Sequence, residues 1–291
     1  MWRMWFAALF WGLNWPAVKI MLAAASPWTL RTAGLAGGGL LLAAYTRATG
    51  ASFAIPRQAW RHVVIASLLN VTGFNVFAVF AQLSMPTSRA AILTFTMPFW
   101  ATLFGWIILK EPVDRLRLAS LTLGGLGLVI LSSSFWPQIA AGQAPLGLVY
   151  VLGAAISWAA GTVYLKKHRI AADPLALTTW QVILAAVACA IGMLLFEMPR
   201  LDLSQPRVAA AFVYHIALPQ AAAYVLWFSL ITKVSSSTAS LGTLLVPVFG
   251  VVGAVAILGD RPTALDLSGF GLLFAAVLSD QVLRARSMSK T

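Results

Sequence analysis

Apolar runs of about 20 residues alternate with short polar breaks along the whole chain, and a helix of that length crosses a bilayer core of roughly 30 Å. The pattern predicts ten helical spans, at residues 4–24, 27–46, 60–83, 88–109, 116–134, 145–165, 174–196, 207–231, 236–258 and 265–284. The first resembles a secretory signal, with Arg3 before an apolar run that ends in Ala23, Ala24 and Ala25. Asn14, Pro16 and Lys19 interrupt that run, so a retained helix is expected.

The stretch Thr94–Glu111, TFTMPFWATLFGWIILKE, returns at Thr243–Asp260 as TLLVPVFGVVGAVAILGD. Thr94 and Thr243, Pro98 and Pro247, and Glu111 and Asp260 all stand 149 residues apart, while Trp11 and Trp158, and Lys19 and Lys166, stand 147 apart. The chain therefore reads as a duplication, with units at residues 1–135 and 144–286. Five spans is an odd number, so the second unit inserts upside down relative to the first. Inverted repeats are a recurring architecture of secondary transporters, with the substrate bound near the midplane where the repeats meet. A channel or a non-transporting scaffold could share that plan. The fold expected is an all-α integral membrane protein of ten transmembrane helices in two inverted five-helix repeats.

Composition agrees. Of 291 residues 60% are apolar and 10% charged, with a mean hydropathy of +0.86, against about 25% charged in soluble domains. The net charge of +12 does not point to nucleic acid, because the cations sit in the breaks between apolar runs. On one side of the expected topology lie Arg3, Arg47, Arg57, Arg61, Lys110, Arg115, Arg117, Lys166, Lys167, Arg169, Lys233, Arg284, Arg286 and Lys290, 14 of the 20 basic residues. The other side has Arg89, Arg200, Arg207 and Arg261, with Lys19 and Arg31 near the outer ends of their helices. Positive charge marks the cytoplasmic side, so both termini are expected in the cytoplasm. The single cysteine, Cys189, excludes an intramolecular disulfide and a cysteine metal cluster.

The parts needed for enzyme chemistry are missing from the sequence. Seven of the eight acidic residues fall in or beside the breaks, and the eighth, Asp280, lies near the end of the last span. HExxH, Walker and paired-carboxylate patterns are absent. No catalytic residue, cofactor or metal is expected, and Ser235, Ser236 and Ser237 read as a cap for the ninth helix.

Neutral polar groups inside the spans are costly in hydrocarbon unless they meet partners or water. With the deeper aromatic rings they are the candidates for a substrate path: Asn14, Trp15, Asn70, Phe74, Asn75, Thr94, Trp158, Thr162, His215, Gln220, Tyr224, Trp227, Ser240 and Thr243, with Pro98 and Pro247 as hinges. Asn and Gln also hold helices together, and Gly34 and Gly38 form a GxxxG that brings helices close.

The first-helix motif Trp11-Gly12-Leu13-Asn14-Trp15-Pro16 and the two Thr-x-x-x-Pro units ending in Glu111 and Asp260 resemble the EamA-type members of the drug/metabolite transporter superfamily. The resemblance covers essentially the whole chain, and its narrower likeness is to the YddG-type exporters of aromatic amino acids. The usual Gly-Glu-Pro turn is replaced by Lys110-Glu111-Pro112 and by Gly259-Asp260-Arg261-Pro262. What the resemblance implies is a monomeric exporter of small zwitterions, aromatic or apolar amino acids first, in the bacterial inner membrane. A sugar-phosphate, nucleotide-sugar or drug carrier of the same fold, or a channel-like facilitator, remains open.

Overall fold

Proline opens several of the helices, at a position where its missing N–H is an orphan in any case. In the computed structural model, which describes residues 2–112, 115–231 and 245–288, α1 is Trp2–Leu22 and α2 is Pro27–Ala48. Next come α3 (Arg57–Ser84), α4 (Thr87–Leu109) and α5 (Arg115–Ser132, with a short extension Trp136–Ala140). They are followed by α6 (Leu146–His168), α7 (Pro174–Phe196) and α8 (Pro206–Trp227). The last are α9 (Leu245–Leu258) and α10 (Ala264–Met288). Six stretches are long and apolar enough to cross a membrane: α3, α4, Leu118–Ala140, α6, α7 and α8. No strand occurs among the described residues; a lone bridge joins Ala25 to Leu201. The protein is an all-helical, multi-pass membrane protein.

The expected spans agree with these helices to within a few residues at most ends. The expected start of the ninth span, with Ser235 to Ser237, Ser240 and Thr243, lies outside the described residues.

The helices pack in matched pairs. Helix α2 lies along α7, and α5 along α10. Between these pairs the first helix of each half packs on the third and fourth of the other: α1 on α8 and α9, α6 on α3 and α4. Small residues bring the backbones together, as van der Waals packing in lipid requires. A Cβ on Gly12 of α1 would strike the Val246 carbonyl of α9, and one on Gly161 of α6 would strike the Asn70 backbone of α3.

The helices break at related places. Ser67–Gly73 in α3 and Leu218–Ala222 in α8 are wound as π-helix, and the 149-residue offset carries Gly73 onto Ala222. Wide turns of this kind leave carbonyls without their usual partners and are frequent at functional sites. Here the first helix of the opposite half supplies donors. Ser157 Oγ on α6 donates to the Leu69 carbonyl at 2.6 Å, and Trp11 Nε1 on α1 to the Pro219 carbonyl at 3.1 Å.

Helix α4 tightens at Phe95 and Thr96, whose amides reach back three residues to Ile92 and Leu93, and Pro98 sits in the first turn beyond. Both α4 and α9 end on a left-handed residue, Lys110 at φ 56° and Gly259 at φ 75°. The same closing bond follows each: Glu111 N–H to the Gly105 carbonyl and Asp260 N–H to the Ala254 carbonyl. Glycine adopts that conformation freely, whereas lysine does so at a cost of about 1–2 kcal/mol. The exposed Lys110 ammonium beside the helix C-terminus offsets part of it.

Candidate functional site

Four helices contribute polar side chains to the interior beside the π-segments. His215 of α8 is fully buried, and its Nδ1 lies 2.6 Å from Asn14 Oδ1 on α1. Since an amide oxygen only accepts, Nδ1 carries the proton. His215 Nε2 is buried without a partner and lies against Gly34 of α2, where no side chain could fit. One turn away on α2, Arg31 is 3% exposed, and its Nη1 donates to Asn75 Oδ1 on α3 at 3.1 Å. Arg31 Nε is buried and unpartnered. Asn75 in turn donates from Nδ2 to the Val71 carbonyl inside the π-segment, at 2.9 Å. Lys19 of α1 crosses to the Gln82 carbonyl of α3.

Sequence reasoning set Arg31 aside as a residue near a helix end, which is correct for its backbone. The long side chain runs inward, so the guanidinium is interior. The available signal was the one-turn spacing of Arg31 and Gly34, which puts the cation on the same face as the GxxxG that meets α8. That GxxxG does bring helices close: Gly34 faces His215, and Gly38 faces the Cβ of Gln220.

The other path candidates are distributed as follows. Trp11 contacts the rings of Tyr224 and Trp227, with centroids 5.5 and 5.8 Å away, and Phe74 contacts Trp158 at 5.1 Å. These clusters occupy corresponding places, α1 against α8 and α6 against α3. Trp15 packs beside Gly250 of α9. Asn70 has its Oδ1 buried and unpartnered. Gln220 is buried. Thr94 turns its hydroxyl back to the Ala90 carbonyl, and Thr162 is exposed with its hydroxyl on the Trp158 carbonyl. Pro98 is half-buried in the first turn of a helical segment, and Pro247 is buried on α9.

Polar ties close the bundle at both ends. At the end rich in basic residues, Lys166 pairs with Glu111. At the opposite end Ser88 N–H donates to Asp260 Oδ2 at 2.7 Å, and Arg89 grips both oxygens of Asp266 at 2.8 and 3.0 Å. Asp266 also accepts from the Thr263 amide, while Thr263 Oγ1 accepts from the Asp266 amide, a reciprocal cap of the helix start. Glu197 at the end of α7 accepts from the first amides of α2, Trp28 and Thr29, at 3.2 and 2.6 Å. Carboxylates at helix N-termini meet the positive end of the helix dipole.

Comparison with known proteins gives this geometry a context. The family model for EamA-like transporters matches residues 3–133 and again residues 145–279. The chain is 26% identical over 284 residues to the transporter YvbV of Bacillus subtilis, covering 94% of this chain and 88% of that one. It is 25% identical to a "Probable amino-acid metabolite efflux pump" of Salmonella typhimurium, over 92% of this chain and 89% of the other. Protein PecM of Dickeya dadantii is 29% identical over 79% of this chain and 76% of its own. A crystal structure of 21% identity aligns with a TM-score of 0.67 over 98% of this chain and 96% of that one, which establishes the fold. Matched twice and over nearly its whole length, the chain belongs to the EamA-like transporter family, whose members act on small molecules within a membrane.

Proposed function

We propose that the protein exports small zwitterionic metabolites, aromatic or apolar amino acids first, across the bacterial inner membrane by alternating access. The chain crosses the membrane ten times as two inverted five-helix units, residues 1–135 and 144–286, with both termini in the cytoplasm, and works as a monomer. The observation that carries this reading is the placement of Glu111 and Asp260. These equivalent residues tie opposite ends of the bundle, each to the other half of the chain. Opening one tie while the other holds is what access from one side at a time requires. The names of the Salmonella and Escherichia coli relatives, amino-acid metabolite efflux pumps, support the substrate class. The interior suits it, since the Trp11–Tyr224–Trp227 and Phe74–Trp158 clusters offer ring faces to an apolar or aromatic side chain.

Counterflow of labelled amino acids in liposomes containing the purified protein tests the proposal. A carrier shows saturable uptake that unlabelled amino acid inside accelerates. Non-saturable flux without acceleration would instead mark a channel-like facilitator, and counterflow confined to sugar phosphates would replace the substrate class.

A further inference from the structure

We infer that Arg31 is the receptor for a substrate carboxylate, with Asn75 orienting its guanidinium; this rests on the transport reading above and names the substrate group it recognises. A guanidinium taken out of water costs several kcal/mol unless an anion or a full set of acceptors meets it. Arg31 is 3% exposed and has neither among the described residues. Its one hydrogen-bond acceptor is the neutral amide oxygen of Asn75, and its Nε–H points at no acceptor. Six carboxylates stand at helix ends, occupied with Lys166, with Arg89 or with backbone amides.

The fork of a guanidinium matches a carboxylate with two parallel bonds. One such fork is the Nε–Nη2 edge, the one Arg89 sets on Asp266; on Arg31 the Asn75 amide takes Nη1 and leaves Nε, on that edge, without an acceptor. A substrate carboxylate on that edge supplies the missing acceptor to Nε while Asn75 keeps its bond to Nη1. Asn75, bonded to the Val71 carbonyl inside the π-segment of α3, ties the guanidinium to the wide turn. His215 Nε2, an unprotonated acceptor when Nδ1 donates to Asn14, is packed against Gly34, one turn along α2 from Arg31.

Thermal unfolding of the purified full-length protein in detergent tests this, with L-phenylalanine, 3-phenylpropionate, L-phenylalaninamide and phenyl phosphate as probes. The two carboxylates are expected to raise the wild-type melting temperature and the amide to leave it unchanged. Arg31→Gln should weaken carboxylate binding by about tenfold to a hundredfold, the range for losing a hydrogen bond to a charged group. Asn75→Asp is the second variant, for use if Arg31→Gln does not fold. It sets a permanent carboxylate on the guanidinium, and should fold and lose the response to both carboxylate probes.

Carboxylate shifts that persist undiminished in Asn75→Asp or Arg31→Gln would overturn the assignment. So would a wild-type response to phenyl phosphate alone, or equal responses to acid and amide. Arg31-dependent carboxylate binding without amino-acid counterflow in liposomes would overturn the amino-acid reading and leave this assignment standing. Amino-acid counterflow with an Arg31→Gln response like wild type would do the reverse.

Discussion

Glu111 and Asp260, 149 residues apart, each reach across to the opposite half of the chain: Lys166 donates to Glu111 Oε1 at the basic end, and the amide of Ser88 to Asp260 Oδ2 at the other. Each closes a helix on a left-handed residue, Lys110 or Gly259. In alternating access the two ties act as opposed latches. Glu111→Gln should favour opening of the basic end and Asp260→Asn opening of the opposite end. Reporter cysteines at Asn70 and Gln82, in a Cys189→Ala background, read this through a membrane-impermeant thiol reagent. Each variant should speed labelling of its own reporter about tenfold, the effect of losing a charge-assisted bond. Equal effects of both variants on both reporters would remove the latches from the mechanism.

Topology gives a second expectation. Reporters fused at residue 140 should read periplasmic, and those at residues 52 and 170 cytoplasmic. A cytoplasmic signal at 140 would overturn the inverted arrangement of the two units.

The 149-residue offset could be read from residue identities alone, and the all-helical, membrane-spanning character was legible because hydropathy over 20 residues is a strong signal. The winding of the helices was not. A π-segment such as Ser67–Gly73 adds under one residue per turn to an already apolar run, so it leaves no mark on the pattern. Facing was equally obscure: when nearly every side of a helix is apolar, periodicity cannot say whether Thr162 or Asn70 points inward. Arg31 shows the limit from the other direction. Its position along α2 was plain, but a side chain of that length can place its charge a turn or more from its backbone.

Helix α2 and His215 are matched in shape. The imidazole occupies the space a Cβ on Gly34 would need. Gly34→Ala should therefore destabilise the protein by about 1–3 kcal/mol, the cost of overpacking a filled interior. In a His215→Ala background the same substitution should cost little, because the ring is gone. Thermal unfolding of the two single variants and the double variant gives the coupling. Simple additivity would mean that the ring and Gly34 do not determine how α2 meets α8.

Pro98 stands in the first turn of the second part of α4, and Pro247 lies on α9. Proline cannot donate to the preceding turn, and α4 answers with the tightened pair Phe95 and Thr96. A helix with two arrangements at this point can straighten or bend as one end opens. Pro98→Ala and Pro247→Ala should slow counterflow several-fold while shifting thermal stability little. Wild-type rates in both would exclude the prolines from the conformational step.

The last expectation concerns driving force. Carriers coupled to protons or sodium place an ionisable side chain along the path, because a charge in the membrane is costly and is kept for use. Among the described residues six carboxylates are at helix ends, Glu111 after α4, Asp173 before α7, Glu197 after α7, Asp202 between α7 and α8, Asp260 after α9 and Asp266 in the first turn of α10, and Asp280 lies on α10 eight residues before its last residue, Met288. His215 is the interior group whose ordinary titration lies near physiological pH, and it is fully buried with Nδ1 engaged by Asn14. Transport should therefore follow the substrate's own gradient, with no obligatory proton or sodium coupling. Sealed vesicles with an imposed pH or sodium gradient, and equal substrate on both sides, should show no net accumulation. Sustained accumulation that collapses with an ionophore would sink this expectation. If it also vanished in His215→Ala while downhill exchange survived, His215 would be the coupling residue, with Asn14 positioning its proton.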